Sequence, residues 1–304
     1  MNILLCIPTY NPGKFAPLLL QAIRGQSIQP NQLLVVDSGS SDGTPDFFSA
    51  QGVEVRSIPL AEFNHGATRQ LCVDVHPDAD IVVFLTQDAI LNENSALETL
   101  LARFADPHIG AAYGRQLPRP NAGPIEAHAR VFNYPDTGAL KSLADAPHLG
   151  IKTAFLSNSF AAYRRAALCE IGGFPGHVIL GEDTWVGAKM LLAGWHIAYC
   201  AQATVLHSHD FGPLQEFRRY FDIGVFHGRE AWLRREFGEP RGEGMRFIRS
   251  EWRFLAKMAP FLIPAAFLRT MLKFLGYKLG TSERLLPVSL KRHLSLHAGY
   301  WDSH

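Results

Sequence analysis

A chain of 304 residues that is 47% hydrophobic and 19% charged can bury a substantial core, and it carries no disordered or low-complexity tract. The formal net charge of +1 hides an asymmetry: residues 1–240 hold 18 Lys and Arg against 24 Asp and Glu, whereas residues 241–304 hold 11 against 4. Basic residues gathered in the final stretch without a base-reading motif argue against nucleic acid as a partner, and a basic tail on an acidic body suits a membrane surface or a solvated helical face.

Cys6, Cys72, Cys169 and Cys200 lie scattered in apolar segments with no C-x-x-C spacing, so they read as small buried hydrophobes of a reducing compartment. The N-terminus lacks a basic n-region and Pro8 interrupts its apolar stretch, so no signal peptide is expected. The longest uncharged apolar run, Met258 to Leu268, has 11 residues and two prolines. A membrane span needs about 20, so none is expected.

In chain order, strands are expected at Ile3–Ile7, Leu33–Val36, Val53–Arg56, Ile81–Leu85 and Gly110–Gly114, and helices at Phe15–Arg24, Thr44–Ala50, Gly66–Val75 and Ser95–Phe104. That alternation predicts an α/β fold: a mostly parallel central sheet with helices on both faces. Residues 116–150, rich in Pro, Gly and Ala, predict a long functional loop such as an active-site flap. A strand over Phe155–Tyr163 follows, then a helix over Arg164–Ile171 closed by Gly172-Gly173 and a helix over Asp183–Ala193 capped by Gly194. A strand over His196–Leu206 comes next, then a long amphipathic helix over Leu214–Phe237 and one or two helices across 243–280. The expected organisation is a catalytic body at 1–235 and a helical, basic-amphipathic region at 236–304.

Several strands run straight into acidic or imidazole residues. Leu33–Val36 ends in Asp37, Ile81–Thr86 in Gln87 and Asp88, and Ala203–Leu206 in His207-Ser-His209. In open α/β sheets the crevice outside the strand carboxyl ends binds ligands, and oxygen and imidazole groups gathered there can hold a divalent cation against a phosphate-bearing substrate. Asp37-Ser-Gly-Ser-Ser-Asp-Gly-Thr44 can hydrogen-bond a nucleobase or ribose, or simply be a capped βα turn. Phe63-Asn-His-Gly-Ala-Thr-Arg-Gln70 sets His65 and Arg69 four apart near a helix start, which suits phosphate or a capped surface helix. Asp88 alone is a weak metal site and becomes a two-ligand one when His207 or His209 joins it. Gly181-Glu-Asp-Thr184 puts two acids at a helix N-terminus, where the dipole favours the ionised form a general base needs, or where they only cap the helix.

Taken together, Pro8-Thr-Tyr-Asn11, Val35-Val-Asp-Ser-Gly-Ser-Ser-Asp-Gly-Thr44, Leu85-Thr-Gln-Asp88, Gly172-Gly-Phe174 and Gly181-Glu-Asp183 resemble the family 2 inverting glycosyltransferases of GT-A fold over roughly residues 1–235. Phe63-Asn-His-Gly-Ala-Thr-Arg69, Thr86-Gln-Asp-Ala89, His207-Ser-His209 and Arg219-Tyr-Phe-Asp-Ile-Gly224 look like its bacterial rhamnosyltransferase branch, which uses dTDP-L-rhamnose. The resemblance implies that Asp183 is the catalytic base, with Glu182 and Trp185 on the acceptor side. It implies a donor site at Pro8, Thr9, Tyr10, Asp37, His65, Gly66, Arg69, Gln87 and Asp88, in which Thr9 and Asp37 hold the nucleoside and Arg69 meets the diphosphate. Asp88 and one of His207 and His209 would bind Mg²⁺ or Mn²⁺. The expected acceptor is a lipid-linked saccharide of O-antigen, core or capsule assembly, reached from the cytoplasm at the inner-membrane surface. Thr86 and Gln87 replace the other acids of the family's D-x-D, and Gln70 stands where the branch has Asn. Transfer of a hexose or N-acetylhexosamine, a nucleotidyltransferase activity and a non-catalytic scaffold role are the rival expectations. The nucleotidyltransferase class shows a glycine-rich N-terminal loop that Pro8-Thr-Tyr-Asn-Pro-Gly13 lacks.

Overall fold

The computed structural model describes residues 1–208, 211–239 and 242–302. The first half follows the apolar pattern closely: β1 (Ile3–Thr9), α1 (Phe15–Arg24), β2 (Gln32–Asp37), α2 (Thr44–Ala50), β3 (Glu54–Ser57), α3 (His65–Val75) and β4 (Ile81–Leu85). Strands β3, β2, β1 and β4 lie side by side, all parallel, with Thr9 opposite Asp37 in register. Alternate residues feed opposite layers. Leu4 and Cys6 enter the core shared with α3, whereas Ile3, Leu5 and Ile7 meet Leu19, Leu20 and Ile23 of α1. Burial on both faces explains why these strands read as unbroken apolar runs.

The sheet continues through β5 (Ile90–Leu91), β6 (Ile109–Leu117), β7 (Ala139–Lys141), β8 (Phe160–Arg164) and β9 (His196–Leu206), with α4 (Ala96–Leu101) packed against β9. The order is β3-β2-β1-β4-β8-β6-β9-β5, with β7 also on β9. Most strands run the same way, as expected, with β6 and β9 in the direction of β1–β4, and the sheet is mixed because β8 runs antiparallel to both β4 and β6. The reason lies in the chain's path. β8 pairs its first residue, Phe160, with Leu85, the last of β4. Residues 157–159 therefore sit over the carboxyl end of β4, with the Thr86 amide donating to the Ser159 carbonyl at 3.3 Å.

Residues 116–150 are not one loop. They hold the end of β6, α5 (Pro124–Asn133), β7 and α6 (Ala146–Leu149). These elements are too short to show a period, and α5 is stabilised by α11 (Glu243–Met258), where His128 meets Phe247 at 5.1 Å. The strand expected from Phe155 starts at Phe160, and Cys169, at the end of α7 (Arg165–Glu170), is exposed rather than buried. The long helix expected over Leu214–Phe237 breaks into α9 (Pro213–Arg229) and α10 (Trp232–Phe237). At the break the buried Glu230 accepts hydrogen bonds from the indoles of Trp185 and Trp232 at 3.2 and 2.7 Å.

Helix α8 (Glu182–Leu192) enters from Gly181 at φ +79°, where a side chain would also strike the Phe226 ring. Two further helices complete the chain, α12 (Ile263–Thr281) and α13 (Val288–Leu294). α12 lies against α9 at glycine contacts: a Cβ on Gly224, Gly276 or Gly280 would come within 2.3, 2.4 or 2.0 Å of a backbone carbonyl oxygen of the facing helix. The helical region from 243 onward is thus packed on the body, and Tyr300 and Trp301 are anchored there. Trp301 is buried beside Phe221, and Tyr300 donates to the His177 carbonyl at 2.8 Å.

Candidate active site

The carboxyl ends of β1, β2 and β4 form the first wall. Asp37 is 1% exposed, and its carboxylate accepts from the Thr9 and Ser40 hydroxyls at 2.8 and 2.6 Å and from the Gly39 and Ser40 amides at 3.1 and 2.8 Å. Four donors occupy a carboxylate's main lone-pair directions. In this structure the side chains of Thr9 and Asp37 thus build the βα turn on which a nucleoside at this strand end would rest. Gln87 is engaged as well, accepting from the Tyr10 amide at 2.7 Å and donating to the Tyr10 carbonyl at 3.1 Å. Pro8 is half-buried, and the Tyr10 ring is the side chain of this group that remains exposed.

Asp88 and His207 meet, as their strand-end positions imply. Asp88 Oδ1 lies 3.2 Å from His207 Nε2, and Oδ2 lies 3.3 Å from a guanidinium nitrogen of Arg119, which also bonds the Asp88 carbonyl and stacks on Phe15. The protonation of His207 follows from its neighbours. Gln116 gives its amide N–H groups to the Tyr134 and Ser157 hydroxyls at 2.6 and 2.7 Å, so its Oε1 accepts from His207 Nδ1 at 2.8 Å. Burial holds the imidazole pKa below its ordinary value, against the pull of Asp88. A carboxylate oxygen and an imidazole nitrogen 3.2 Å apart at two strand ends are a ligand set that fits a divalent metal taking its remaining ligands from phosphate and water. His209 lies outside the described residues. Among the described residues no cluster of three His, Cys, Asp or Glu side chains is grouped to hold a metal.

From this pair a line of contacts leads to Asp183. Gln116 bonds Ser157; the next residue, Asn158, directs its amide at Asp183 Oδ2 at 3.4 Å and its side-chain nitrogen at Glu182 Oε1 at 2.9 Å. Tyr163 steadies Asn158 by donating to its Oδ1 at 2.7 Å. Asp183 is half-buried at the start of α8. Burial, then the charge of Glu182, push its pKa up to about 7. Glu182 moves the other way: burial opposes its ionisation, but the charge of Arg69 and the Asn158 hydrogen bond hold it below the usual carboxylate range. Two adjacent acids are thereby split into a permanent anion and a group that exchanges a proton near neutrality.

Arg69 does not reach into open space toward a diphosphate. It is 5% exposed, pairs with Glu182 Oε1 at 3.1 Å and donates to the His65 carbonyl at 2.9 Å. Gly66 serves packing, since a Cβ there would lie 1.8 Å from the Pro175 carbonyl oxygen. His65 is half-buried beside the Arg69–Glu182 pair, and Trp185 turns toward Glu230 and Trp232. Gln70 spends its amide on the Phe174 N–H at 2.8 Å and on Asp74, so it shapes the Gly172-Gly-Phe174 turn rather than a sugar pocket. The residues the sequence left unmarked are Gln116, Arg119, Ser157 and Asn158. Gln116 and Arg119 come from the stretch read as a loop and Ser157 and Asn158 from one read as strand, and only the short spacing of polar groups before Phe160 hints at the last two.

A mixed α/β sheet with a carboxylate–imidazole pair and a pair of acids along its carboxyl edge has the architecture of the GT-A fold. Solved structures of that kind superpose on the chain. A mannosyltransferase from Pyrobaculum calidifontis in complex with GDP-Man and Mn²⁺ matches with a TM-score of 0.58 at 18% identity, covering 100% of this chain and 88% of that one. S. aureus TarS 1–349 in complex with UDP-GlcNAc matches at 0.54 and 17%, covering 93% and 91%. The sequence model of "Glycosyl transferase family 2" matches residues 4–172, and the chain belongs to that family. It is 51% identical over 304 residues to the O-antigen chain rhamnosyltransferase RfbN of Salmonella typhimurium, covering 100% of this chain and 97% of the relative. It is 49% identical to the O-antigen chain rhamnosyltransferase WbaN of Salmonella anatum, covering 98% and 95%. An N-acetylglucosaminyl-diphospho-decaprenol L-rhamnosyltransferase of Mycobacterium tuberculosis is 26% identical over 226 residues, covering 66% and 73%.

Proposed function

We propose that this enzyme transfers L-rhamnose from dTDP-L-rhamnose to a lipid-linked saccharide of O-antigen assembly, by a single displacement with inversion. The observation that carries the reading is the continuous line Asp88–His207–Gln116–Ser157–Asn158–Asp183, which joins a cation-compatible pair to a base along one sheet edge. The names of the two relatives at about half identity support rhamnose and O-antigen, and that of the mycobacterial relative supports a diphospho-lipid carrier.

Asp183 takes the proton of the acceptor hydroxyl while that oxygen attacks the anomeric carbon. The bond from that carbon to the diphosphate breaks on the opposite face, and dTDP departs. Glu182, kept ionised by Arg69, holds Asn158 and raises the proton affinity of Asp183, so Arg69 acts through Glu182. Asp88 and His207 would hold Mg²⁺ or Mn²⁺, which when bound offsets the negative charge of the leaving diphosphate. Tyr10 and the backbone around Pro8 and Gln87 flank the nucleoside.

No described helix is long and apolar enough to cross a membrane. The exposed apolar and basic faces of α11 and α12 support peripheral attachment to the cytoplasmic face of the inner membrane.

Thermal-shift titration with dTDP, UDP, GDP and their sugars, with and without Mn²⁺, tests donor and metal together. A ligand at a hundredfold excess over its Kd stabilises by about 2.7 kcal/mol, which is readily read. We expect the dTDP compounds to shift the wild type in a cation-dependent way and Asp88→Asn to lose the cation dependence. A preference for UDP or GDP sugars overturns the donor, and an equal shift without cation overturns the metal site.

A further inference from the structure

The family match ends at residue 172, yet the last residues of the chain reach the catalytic edge. Asp222 of α9 is 0% exposed and accepts from the Leu296 amide at 2.9 Å; with Trp301 and Tyr300 it fixes residues 295–302 on the body. Tyr300 is further tied to Arg229 at 2.9 Å. What this anchored segment presents is His297. Its ring stands perpendicular to that of His65, centroids 4.8 Å apart, while Phe63 meets His65 edge-on at 5.0 Å. His65 begins α3, and its own carbonyl is tied to Arg69, the partner of Glu182. One imidazole thus meets two aromatic rings, and its residue is tied through Arg69 to Glu182, the neighbour of the proposed base Asp183.

Both rings are neutral. Burial and then the charge of Arg69 and Arg219 bring His65 down to about 4 against the pull of Glu182, and burial followed by His65 and Arg219 brings His297 down to about 3. A neutral imidazole offers one donor and one acceptor, the pair a sugar hydroxyl needs, without attracting a phosphate in its place.

We propose that residues 295–302 complete the donor-sugar site, with His297 as the positioning residue that holds the His65 imidazole toward the hydroxyls of the transferred sugar. This rests on the reading of the site as a sugar-nucleotide site. The clamp sets sugar selection and leaves nucleotide affinity alone.

The test compares wild type, His297→Ala, His297→Phe, His65→Ala and the double Ala variant in the full-length enzyme. The readouts are dTDP inhibition constants and kcat/KM for donor hydrolysis with dTDP-L-rhamnose and dTDP-D-glucose. His297→Ala is expected to lower kcat/KM for dTDP-L-rhamnose about tenfold, the size of one lost sugar hydrogen bond. It should also narrow the preference over dTDP-D-glucose and leave dTDP inhibition within twofold. The double variant is expected to lose no more than His65→Ala, because positioning through His65 makes the two non-additive. His297→Phe, which keeps the ring edge, is expected to recover most of the activity and also serves if His297→Ala does not fold. Unchanged kcat/KM and selectivity in His297→Ala, additive losses, or a matching loss of dTDP inhibition would each overturn the clamp. A wild type that hydrolyses no nucleotide sugar overturns the functional reading and the clamp with it, a result visible before any variant is made.

Discussion

Asp183 carries a cost that the role proposed for it as base explains. Its folded pKa of about 7 lies above the unfolded value of about 3.9, so the native protein holds a proton between these limits that the unfolded chain has released. The stability this group contributes is complete below about pH 4 and is lost as pH rises through 7. Asp183→Asn should therefore melt at a higher temperature than wild type at pH 8, with the gap closing toward pH 4, while transfer falls by about 10²–10⁴ and dTDP binding persists. Wild-type kcat should climb with pH through about 7 as the base ionises. A variant that retains transfer, or melts below wild type at pH 8, removes Asp183 as a strained base. The acids themselves were legible in the sequence, because a carboxylate directly after an apolar run or a Gly-rich turn needs no knowledge of the fold. Their partners were not. Arg69 looked like a phosphate ligand until Glu182, 113 positions later, took it, and Gln116 and Asn158 gain meaning only when β6 and β8 lie side by side.

Elements were read well where one period ran long enough to show. Helix α1 was expected from Phe15 to Arg24 and lies there, and β4 was expected from Ile81 to Leu85 and lies there. The failures share a cause, which is that tertiary contacts decide short segments. β8 was extended backward to Phe155 although residues 155–159 turn to cover β4, and the break after Arg229 is held by two indoles that bond Glu230, one of them from distant Trp185. The α9–α12 pairing is likewise invisible in a helical pattern, because its determinant is the absence of side chains. With carbonyl oxygens at 2.0–2.4 Å from three ideal Cβ positions, the two backbones touch. Gly280→Ala has no flexible side chain to push aside and must separate the helices, at about 1–3 kcal/mol. Chemical denaturation should show that loss in the midpoint, whereas Gly244→Ala on α11, with nothing within 4 Å, should stay within about 0.5 kcal/mol of wild type. Equal stability in the two variants would mean that α12 does not lie on α9 as described.

At the scale of the whole molecule, the basic tail serves two faces at once. Its inner face is structural: Arg269 and Lys273 are committed to Glu216 of α9 at 3.5 and 3.1 Å, and Trp301 closes the core. Removing residues 241–304 would strip α9 of its partner and the catalytic edge of His297, so a truncation cannot isolate membrane contact. The outer face can be tested alone. At the turn between α11 and α12, Met258 and Phe261 are 68% and 78% exposed, followed along α12 by exposed Phe267, Leu268 and Phe274. Arg249, Arg253, Lys257 and Lys278 are exposed on the same two helices, so an apolar edge sits among unspent positive charge. That combination suits an anionic bilayer interface, where apolar side chains enter the acyl boundary and lysine and arginine stay at the headgroups. Burying a Phe or Met side chain is worth about 1.5–3 kcal/mol, so Met258→Ser with Phe261→Ser should cut partitioning onto phosphatidylglycerol-containing vesicles by at least about tenfold. Neither residue supports the core, so Tm and hydrolysis of a soluble sugar nucleotide should not change, while transfer to a membrane-embedded acceptor should fall with the partitioning. Vesicle flotation checks the first effect, and undiminished flotation of the double variant would mean that this edge meets something other than lipid.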